Sequence, residues 1–196
     1  DYFQATKASG NGGFEMLVLS PSTLQEAVEM TGEAFELADK YSNPVLLLLD
    51  GFTGTMMEPV ELPEPLSDEQ IKAIRATKTW AATGKHGGEQ HKVMCGPGLD
   101  TRVSQQQMNR AAAEMYAKWR EEECDCELYR TEDAEVIVTA YGISGRIAKS
   151  AVNILRGEGI RAGLIRPRRV HPFPAKVYEA LDFGALRGIV SAEMSI

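Results

Sequence analysis

Residues 15–50, EMLVLSPSTLQEAVEMTGEAFELADKYSNPVLLLLD, decide the fold because they encode a β-α-β unit. The short apolar run at 16–19 predicts a strand. Ser20 or Ser22 can cap the helix that follows, and Ser22 with Gln25 fits a capping box. The run VLLLLD lacks polar alternation, which is typical of a parallel strand buried on both faces. The stretch therefore predicts two parallel strands joined by a helix.

The helix of this unit has an apolar face and an acidic face. We expect the following apolar and small side chains to pack on the sheet: Leu24, Ala27, Val28, Thr31, Ala34, Phe35 and Ala38. We expect most of the acidic side chains to face water: Glu26, Glu29, Glu33, Glu36 and Asp39.

A second α/β series follows a region rich in proline, glycine and short polar stretches. From residue 61 to about 100 the sequence is typical of an extended connector with a brief helix near 67–76, and a longer helix is predicted over 102–123. The next segments alternate as strand, helix, strand, helix and strand: 136–142, 144–156, 160–167, 172–181 and 186–193. The fold prediction is an α/β protein with two parallel-sheet segments.

Composition excludes several classes of function. The chain has 196 residues with 21 basic and 28 acidic side chains, and its net charge of −7 opposes binding to nucleic acid. The longest apolar run is too short to cross a membrane, and no basic-then-apolar leader opens the sequence. The odd count of three cysteines is typical of a reducing cytoplasm. Without an initiator methionine, we expect a fragment of a longer cytoplasmic polypeptide.

The basic stretch RPRRVHPFP, residues 166–174, follows a predicted strand and precedes a predicted helix. It is therefore expected to be a strand-to-helix loop at the carboxyl edge of the second sheet. Two interpretations stay open: Arg166, Arg168 and Arg169 are solvated beside a structural His171, or the arginines contact a phosphate group or an acidic partner surface.

Cysteine and histidine spacing does not predict a metal site. A zinc set can be drawn from His86, His91 and Cys95 with Cys124 and Cys126, but the spacing matches no tetrahedral pattern. We therefore expect no metal ligands in this chain.

Two loops are candidate ligand sites. YGISGR, residues 141–146, is either a phosphate-binding loop or a tight strand-to-helix turn, because it lacks the third glycine of G-x-G-x-x-G. Its Ser144 does not lie in a G-x-S-x-G nucleophile elbow, so we expect no catalytic residue there. The candidate cofactor-cleft residues follow the second strand at its carboxyl end: Asp50, Gly51 and Phe52. Met56 and Met57 either line an apolar pocket or cover a subunit interface.

Several segments together resemble the larger thiamine-diphosphate-binding subunit of the 2-oxoacid:ferredoxin oxidoreductases, of the branched-chain (2-oxoisovalerate) type. The segments are DYFQATK, the run from LSPSTL to MMEPVELPEP, AYGISGRIAKSAVNILRGEGIRAGLIRP, and HPFP. They extend over nearly the whole chain, and their combination is specific although each piece alone is weak. The loop RPRRVHPFP departs from the apolar, tryptophan-bearing version usual in that family.

The resemblance implies a domain organisation. Residues 1–66 would be part of a pyrimidine-type thiamine-diphosphate-binding domain, 67–132 a connector with a long helix, and 133–196 a truncated transketolase C-terminal-like domain. In the family, the glutamate that activates the cofactor and the residues that hold the substrate carboxylate lie upstream of a segment like DYFQAT. The isolated chain is therefore expected to be inactive.

The resemblance also implies an activity of the EC 1.2.7 class. A 2-oxoacid, here 2-oxoisovalerate, would be oxidatively decarboxylated to an acyl-coenzyme A while ferredoxin is reduced. Thiamine diphosphate and magnesium would be held mostly by parts outside this chain, and an iron–sulfur cluster by a partner subunit. The expected partners are the other subunits, ferredoxin, coenzyme A and the 2-oxoacid. Three alternatives stay open: a 2-oxoglutarate or pyruvate type, a non-catalytic assembly module, and a nucleotide-binding regulator using YGISGR.

Overall fold

The structure, a computed structural model, describes residues 2–7, 13–78, 81 and 104–194. The chain forms two compact units, a larger one of residues 1–61 and 118–196 and a smaller one of residues 62–117. None of the helices within the described ranges is both long and apolar enough to span a bilayer. The helices and strands in chain order are α1 (Tyr2–Thr6), β1 (Leu17–Leu19), α2 (Leu24–Tyr41), β2 (Val45–Leu47), α3 (Gly51–Thr55), α4 (Asp68–Thr77), α5 (Gln105–Glu122), β3 (Cys126–Tyr129), β4 (Val136–Thr139), α6 (Gly142–Gly157), β5 (Ala162–Pro167), β6 (Arg169–His171), α7 (Ala175–Glu179) and β7 (Gly188–Ser191).

The first sheet contains the predicted β-α-β unit. Its strand order is β2-β1-β6, and β1 and β2 run parallel with Leu17 opposite Val45. The third strand, β6, runs antiparallel to β1 and comes from the far end of the sequence. The unit is confirmed, but the sequence did not predict its third strand.

The second sheet has the order β3-β5-β4-β7. Strand β4 runs parallel to both β5 and β7, which confirms the parallel sheet predicted from the alternating strands and helices. Strand β3 adds an antiparallel edge that was not predicted. Every residue of β5 is buried, because this strand lies between two neighbours and is covered by α6. The core here includes Ala148, Val152 and Leu164.

The start of α2 differs by one residue from the predicted capping box. Thr23 is the N-cap, and its side chain accepts a hydrogen bond from the Glu26 backbone N–H at 3.1 Å. The Glu26 carboxylate in turn accepts hydrogen bonds from the backbone N–H and the hydroxyl of Ser22, at 2.8 and 2.9 Å. Glu26, rather than Gln25, therefore closes this helix start.

The predicted packing face of α2 does lie beside β2, where Thr31, Ala34 and Ala38 line a pocket with Val45 and Leu47, but it is only partly buried. Phe35 is 72 % exposed, whereas the buried side chains of this helix are Met30 and Leu37. Glu26 and Glu33 lie three or four positions from these residues, so the buried face includes two glutamates. They can lie there because arginines from a distant part of the sequence reach them, as described below.

The smaller unit contains α4 and the first three turns of α5. Ser67 caps α4 and forms a complete capping box with Gln70, close to the predicted helix at 67–76. Ser104 and Gln107 exchange equivalent hydrogen bonds where α5 begins. Both helices thus start at a serine followed by glutamine three residues later.

Candidate functional site

The basic stretch 166–171 is an internal junction between the two sheets. Arg166 and Pro167 end β5 in the second sheet, and after Arg168 the chain enters β6 in the first sheet. The stretch is therefore not the strand-to-helix loop that the sequence predicted. Its physical reason is the antiparallel pairing of β6 with β1, which gives the segment a strand conformation.

Arg166 is buried between two carboxylates of the same chain. Its guanidinium donates to both carboxylate oxygens of Glu26, at 2.6 and 3.1 Å, and to Glu127 at 2.7 Å. Only 5 % of its side chain is exposed, so the interpretation as a solvated arginine is wrong. Burial alone would raise the pKa of Glu26, but hydrogen bonds from Arg166 and Ser22 hold this pKa below its ordinary value.

Arg169 makes a second buried contact of the same kind. Its guanidinium donates to Glu33 and Glu123, and Glu123 also accepts hydrogen bonds from Lys40, at 2.6 Å, and from Tyr41. Glu123 follows the acidic end of α5, where carboxylates oppose the helix dipole. Its basic partners belong to this chain.

Arg168 and His171 contact acids as well. Arg168 lies 3.0 Å from Asp125 and 3.6 Å from Glu26, and Nε2 of His171 lies 3.0 Å from the Glu15 carboxylate. All three arginines therefore find the acidic surface that one interpretation required, but that surface is provided by their own chain.

Gly145, the second glycine of YGISGR, makes room for Arg166. A Cβ added at this position would lie 2.7 Å from Cδ of Arg166 and 3.2 Å from the carbonyl oxygen of Ala140. This close approach explains the glycine without any ligand.

The first glycine of YGISGR lies at the start of α6. Gly142 has φ +56°, a conformation that favours glycine, and the next residue, Ile143, donates its backbone N–H to the Asp50 carboxylate at 3.2 Å. An anion does lie at this helix start, as the phosphate-loop interpretation required, but it is Asp50 of the same chain. The geometry is that of a strand-to-helix turn.

Asp50 connects two helix starts. Besides the bond from Ile143, it accepts hydrogen bonds from the backbone N–H of Thr53 at 2.8 Å and from its hydroxyl at 3.0 Å. Burial would raise the pKa of Asp50, but these hydrogen bonds hold it below its ordinary value. Asp50 is thus an ionised residue that positions α3 against α6.

The other two predicted cleft residues are open to solvent. A Cβ added to Gly51 would meet no atom within 4 Å, and the Phe52 ring is 65 % exposed. A shallow cavity of about 160 Å³ beside Asp50 also contacts Ser20 and Tyr141. Of the predicted cleft residues, Asp50 therefore lines a cavity. Phe52, two residues later, is exposed to solvent.

The segment after α3 is attached at two points. Arg146 donates to Glu58 at 2.5 Å, and Gln25 exchanges two hydrogen bonds with the backbone of Glu61, at 2.8 and 3.2 Å. Just before these points, Met57 is 96 % exposed. A side chain this open to solvent is not enclosed by a pocket wall, which leaves the subunit-interface interpretation open.

The structure describes only part of the zinc set that can be drawn from the sequence. His86, His91 and Cys95 lie outside the described residues. Cys124 and Cys126 are free, and partial burial beside Asp125 raises the pKa of Cys126 to about 12. No group of three or more histidine, cysteine, aspartate or glutamate side chains in the described ranges could hold a metal ion.

Sequence reasoning missed a cavity at the carboxyl edge of the second sheet. Five aromatic side chains line it together with Glu193, at positions far apart in the sequence: Tyr2, Phe3, Tyr141, Phe173 and Tyr178. Isolated aromatic residues at the ends of predicted strands were the available signal. Strand order was needed to bring them together.

Family models match two parts of the chain. The model described as "Pyruvate flavodoxin/ferredoxin oxidoreductase, thiamine diP-bdg" matches residues 1–126. The model described as "Pyruvate:ferredoxin oxidoreductase core domain II" matches residues 134–196. The two matches are separated by residues 127–133, which include most of β3.

Individual relatives agree with these models. The chain is 40 % identical over 195 residues to the ketoisovalerate oxidoreductase subunit VorB of Methanothermobacter thermautotrophicus, covering all of this chain and 53 % of that protein. It is 31 % identical over 175 residues to the 2-oxoglutarate synthase subunit KorA of Archaeoglobus fulgidus, covering 89 % of this chain and 48 % of that protein. The chain thus spans about half the length of the curated relatives it matches.

A solved structure has the same fold. The 2-oxoglutarate:ferredoxin oxidoreductase from Magnetococcus marinus, determined with 2-oxoglutarate, coenzyme A and succinyl-CoA bound, matches with a TM-score of 0.71 at 19 % identity. The match covers 99 % of this chain and 37 % of the other.

Proposed function

Because the chain belongs to the pyruvate flavodoxin/ferredoxin oxidoreductase family, we propose that it forms part of a subunit that oxidatively decarboxylates a 2-oxoacid to an acyl-coenzyme A and reduces ferredoxin. The observation that carries this proposal is the 40 % identity over the whole chain with a ketoisovalerate oxidoreductase subunit, against 31 % with a 2-oxoglutarate synthase subunit. The proposed substrate is therefore 2-oxoisovalerate.

The residues near Asp50 fit one end of thiamine diphosphate. The exposed ring of Phe52 offers a face on which a heteroaromatic ring can stack, and the adjacent Gly51 leaves the approach open. Asp50 and Glu193, which line the cleft, are acids that would repel a diphosphate. The proposal therefore assigns only the heterocyclic end of the cofactor to this chain.

When bound, thiamine diphosphate supplies the electron sink that lets a 2-oxoacid lose carbon dioxide. In this proposal Phe52 binds the cofactor ring and Asp50 is a positioning residue, since its carboxylate fixes the starts of α3 and α6. We propose no catalytic residue in this chain. The diphosphate, its magnesium ion and an iron–sulfur cluster are assigned to other parts of a cytoplasmic complex, with ferredoxin and coenzyme A as its partners.

The exposed apolar side chains favour assembly as the second role of this chain. Phe52 and Met57 lie on one short segment, and Phe35 is exposed on α2 beside β2. Large exposed apolar residues are typical of surfaces that contact another protein or ligand. A chain that only assembles would keep these contacts and would not need Phe52 for cofactor affinity.

The test uses the full-length polypeptide that contains this chain, assembled with its partner subunits. We expect coenzyme-A-dependent reduction of ferredoxin or methyl viologen, with kcat/KM highest for 2-oxoisovalerate. A preference for 2-oxoglutarate or pyruvate would refute the substrate. No coenzyme-A-dependent reduction with any of the three would refute the activity.

Phe52→Ala tests the cofactor contact in the same complex. Loss of a stacking ring should raise the thiamine diphosphate concentration needed for half-maximal activity about fivefold, as expected for one aromatic pair. Phe35→Ala, which removes a similarly exposed ring elsewhere, is the matched control. Equal effects of the two substitutions would favour the assembly role alone.

A further inference from the structure

The aromatic cavity at the carboxyl edge of the second sheet has the position of a binding site. It lies where β4, β5 and β7 end, next to Thr139, Pro167 and Ser191, and its volume is about 360 Å³. Open α/β sheets bind ligands at this edge, and a cavity of this volume suits a small molecule. Val170, which is 1 % exposed, lies at its base, while Phe3 is 71 % exposed.

The rings around the cavity are held in fixed arrangements. Phe173 stacks on Tyr178 with the ring centroids 5.0 Å apart, and the Tyr178 hydroxyl lies 2.5 Å from Oγ1 of Thr139. On another part of the wall, Tyr2 and Tyr141 lie with their centroids 6.0 Å apart. The stack uses one face of Phe173 and one face of Tyr178. Hydrogen bonds to the tyrosine hydroxyls use only the polar tip of each side chain, so the other ring faces are available.

One carboxylate lies in the wall of the cavity. Glu193 lines the cavity and accepts a hydrogen bond from the Tyr141 hydroxyl at 2.5 Å. Burial, and then the charge of Glu193, raise the pKa of Tyr2, so the field of this carboxylate reaches the aromatic wall. The described residues that line the cavity include no lysine or arginine.

Aromatic ring faces and a carboxylate attract the same kind of ligand. The face of an aromatic ring carries partial negative charge, and cages of such faces bind quaternary ammonium groups. We propose that this cavity binds a small organic cation of the alkylammonium type, with Phe173, Tyr178 and Tyr141 around the cation and Glu193 providing the opposite charge. The cavity borders the Asp50 cleft through Tyr141 and Glu193. The inference does not depend on the proposed oxidoreductase activity.

Two probes of equal shape isolate the contribution of the ligand's positive charge to binding. Choline carries a quaternary ammonium group, and 3,3-dimethyl-1-butanol replaces its nitrogen by carbon. In calorimetric titrations of the full-length polypeptide that contains this chain, we expect choline to bind at least about tenfold more tightly than the neutral alcohol. Equal affinities, or no heat with choline at millimolar concentration, would overturn the proposal.

Two exposed positions test the wall itself. Glu193→Gln removes the charge and Phe173→Leu removes a ring, and each should weaken choline binding about tenfold. Phe35→Leu, on α2 beside β2 and outside this cavity, is the matched ring deletion and should leave binding unchanged. Circular dichroism and the unfolding midpoint establish that the variants fold. Choline binding that survives both cavity substitutions would refute this site even if the affinity is high.

Discussion

The junction at 166–171 and the segment at 50–61 differ in opposite ways from what their sequences suggest about contact with other molecules. The junction has the basic composition of a ligand or partner site, yet Arg166 and Arg169 are used inside the chain, by Glu26, Glu33, Glu123 and Glu127. The segment has no comparable cluster of charge, yet it exposes Phe52 and Met57.

This difference shows that surface chemistry is decided by partners rather than by composition. A buried arginine with two carboxylates has its charge compensated and has little remaining capacity for an external anion. An exposed phenylalanine or methionine has no such compensation and gains free energy when another surface covers it. The exposed segment, not the basic junction, is therefore the better candidate for contact with a cofactor or subunit.

The largest expected effect comes from Arg166→Ala. Because Glu26 and Glu127 would lose their shared partner in a mostly buried site, unfolding free energy should fall by about 3 kcal/mol. Urea denaturation followed by circular dichroism measures the change. Arg187→Ala is the control, since Arg187 is 74 % exposed and 3.8 Å from Glu135, and should cost roughly 0.5 kcal/mol or less. Similar losses for both would contradict the buried junction.

Acid should weaken the junction from the carboxylate side. Burial opposes ionisation of Glu26, Glu123 and Glu127, but hydrogen bonds from their basic partners hold each pKa below the ordinary value of 4.5. The folded state therefore binds fewer protons than the unfolded state, and stability falls as the pH drops from about 5 through these lowered pKa values. Unfolding free energies across pH 3–7 check this. Arg166→Ala should flatten the profile, and an unchanged slope would contradict the assignment.

A pair of glycine substitutions compares the two regions sterically. Gly145→Ala places a methyl group 2.7 Å from Arg166, so we expect a loss of about 1–2 kcal/mol as the side chain shifts. Gly51→Ala meets no atom within 4 Å and should leave the unfolding free energy almost unchanged. Thermal unfolding of both variants measures the difference. A neutral Gly145→Ala would mean that Arg166 moves without cost.

The smallest expected effect on stability is that of Met57→Ser. With 96 % of Met57 exposed, the substitution should alter unfolding free energy by roughly 0.5 kcal/mol or less. It should reduce self-association of the isolated chain, measured by sedimentation velocity, because it removes exposed apolar surface. A loss of stability comparable to that of Arg166→Ala would erase the contrast between the two regions.

Sequence patterns predicted the strands that contain a continuous apolar run. The parallel strands β1, β2, β4, β5 and β7 were found because runs such as VLLLLD and VIVT are recognisable locally, although the residues of β7 are exposed. Strand β6 was missed because three residues, Arg169 to His171, carry too little pattern to outweigh their charge.

The error in the face of α2 has a long-range cause. The sequence predicted that Glu26 and Glu33 face water, because their partners, Arg166 and Arg169, lie more than a hundred residues away. The position of Asp50 at a strand end was predictable, whereas its bond to Ile143 depends on how the two sheets meet. Contacts between distant segments are not encoded in any local period.

The connection from β5 to β6 also limits how the two matched segments can be exchanged between homologues. One residue, Arg168, separates strands of different sheets, so the segment matched as core domain II carries the third strand of the sheet that begins in the first segment. A recombinant that joined residues 1–126 of one homologue to 134–196 of another would receive β6 from a foreign parent, together with Arg166 and Arg169. Those arginines would have to form ion pairs with glutamates of the other parent. Arg166 and Glu26, for example, are 140 residues apart in the sequence. We therefore expect the two segments to be inherited together, with linked substitutions at Glu26 and Arg166.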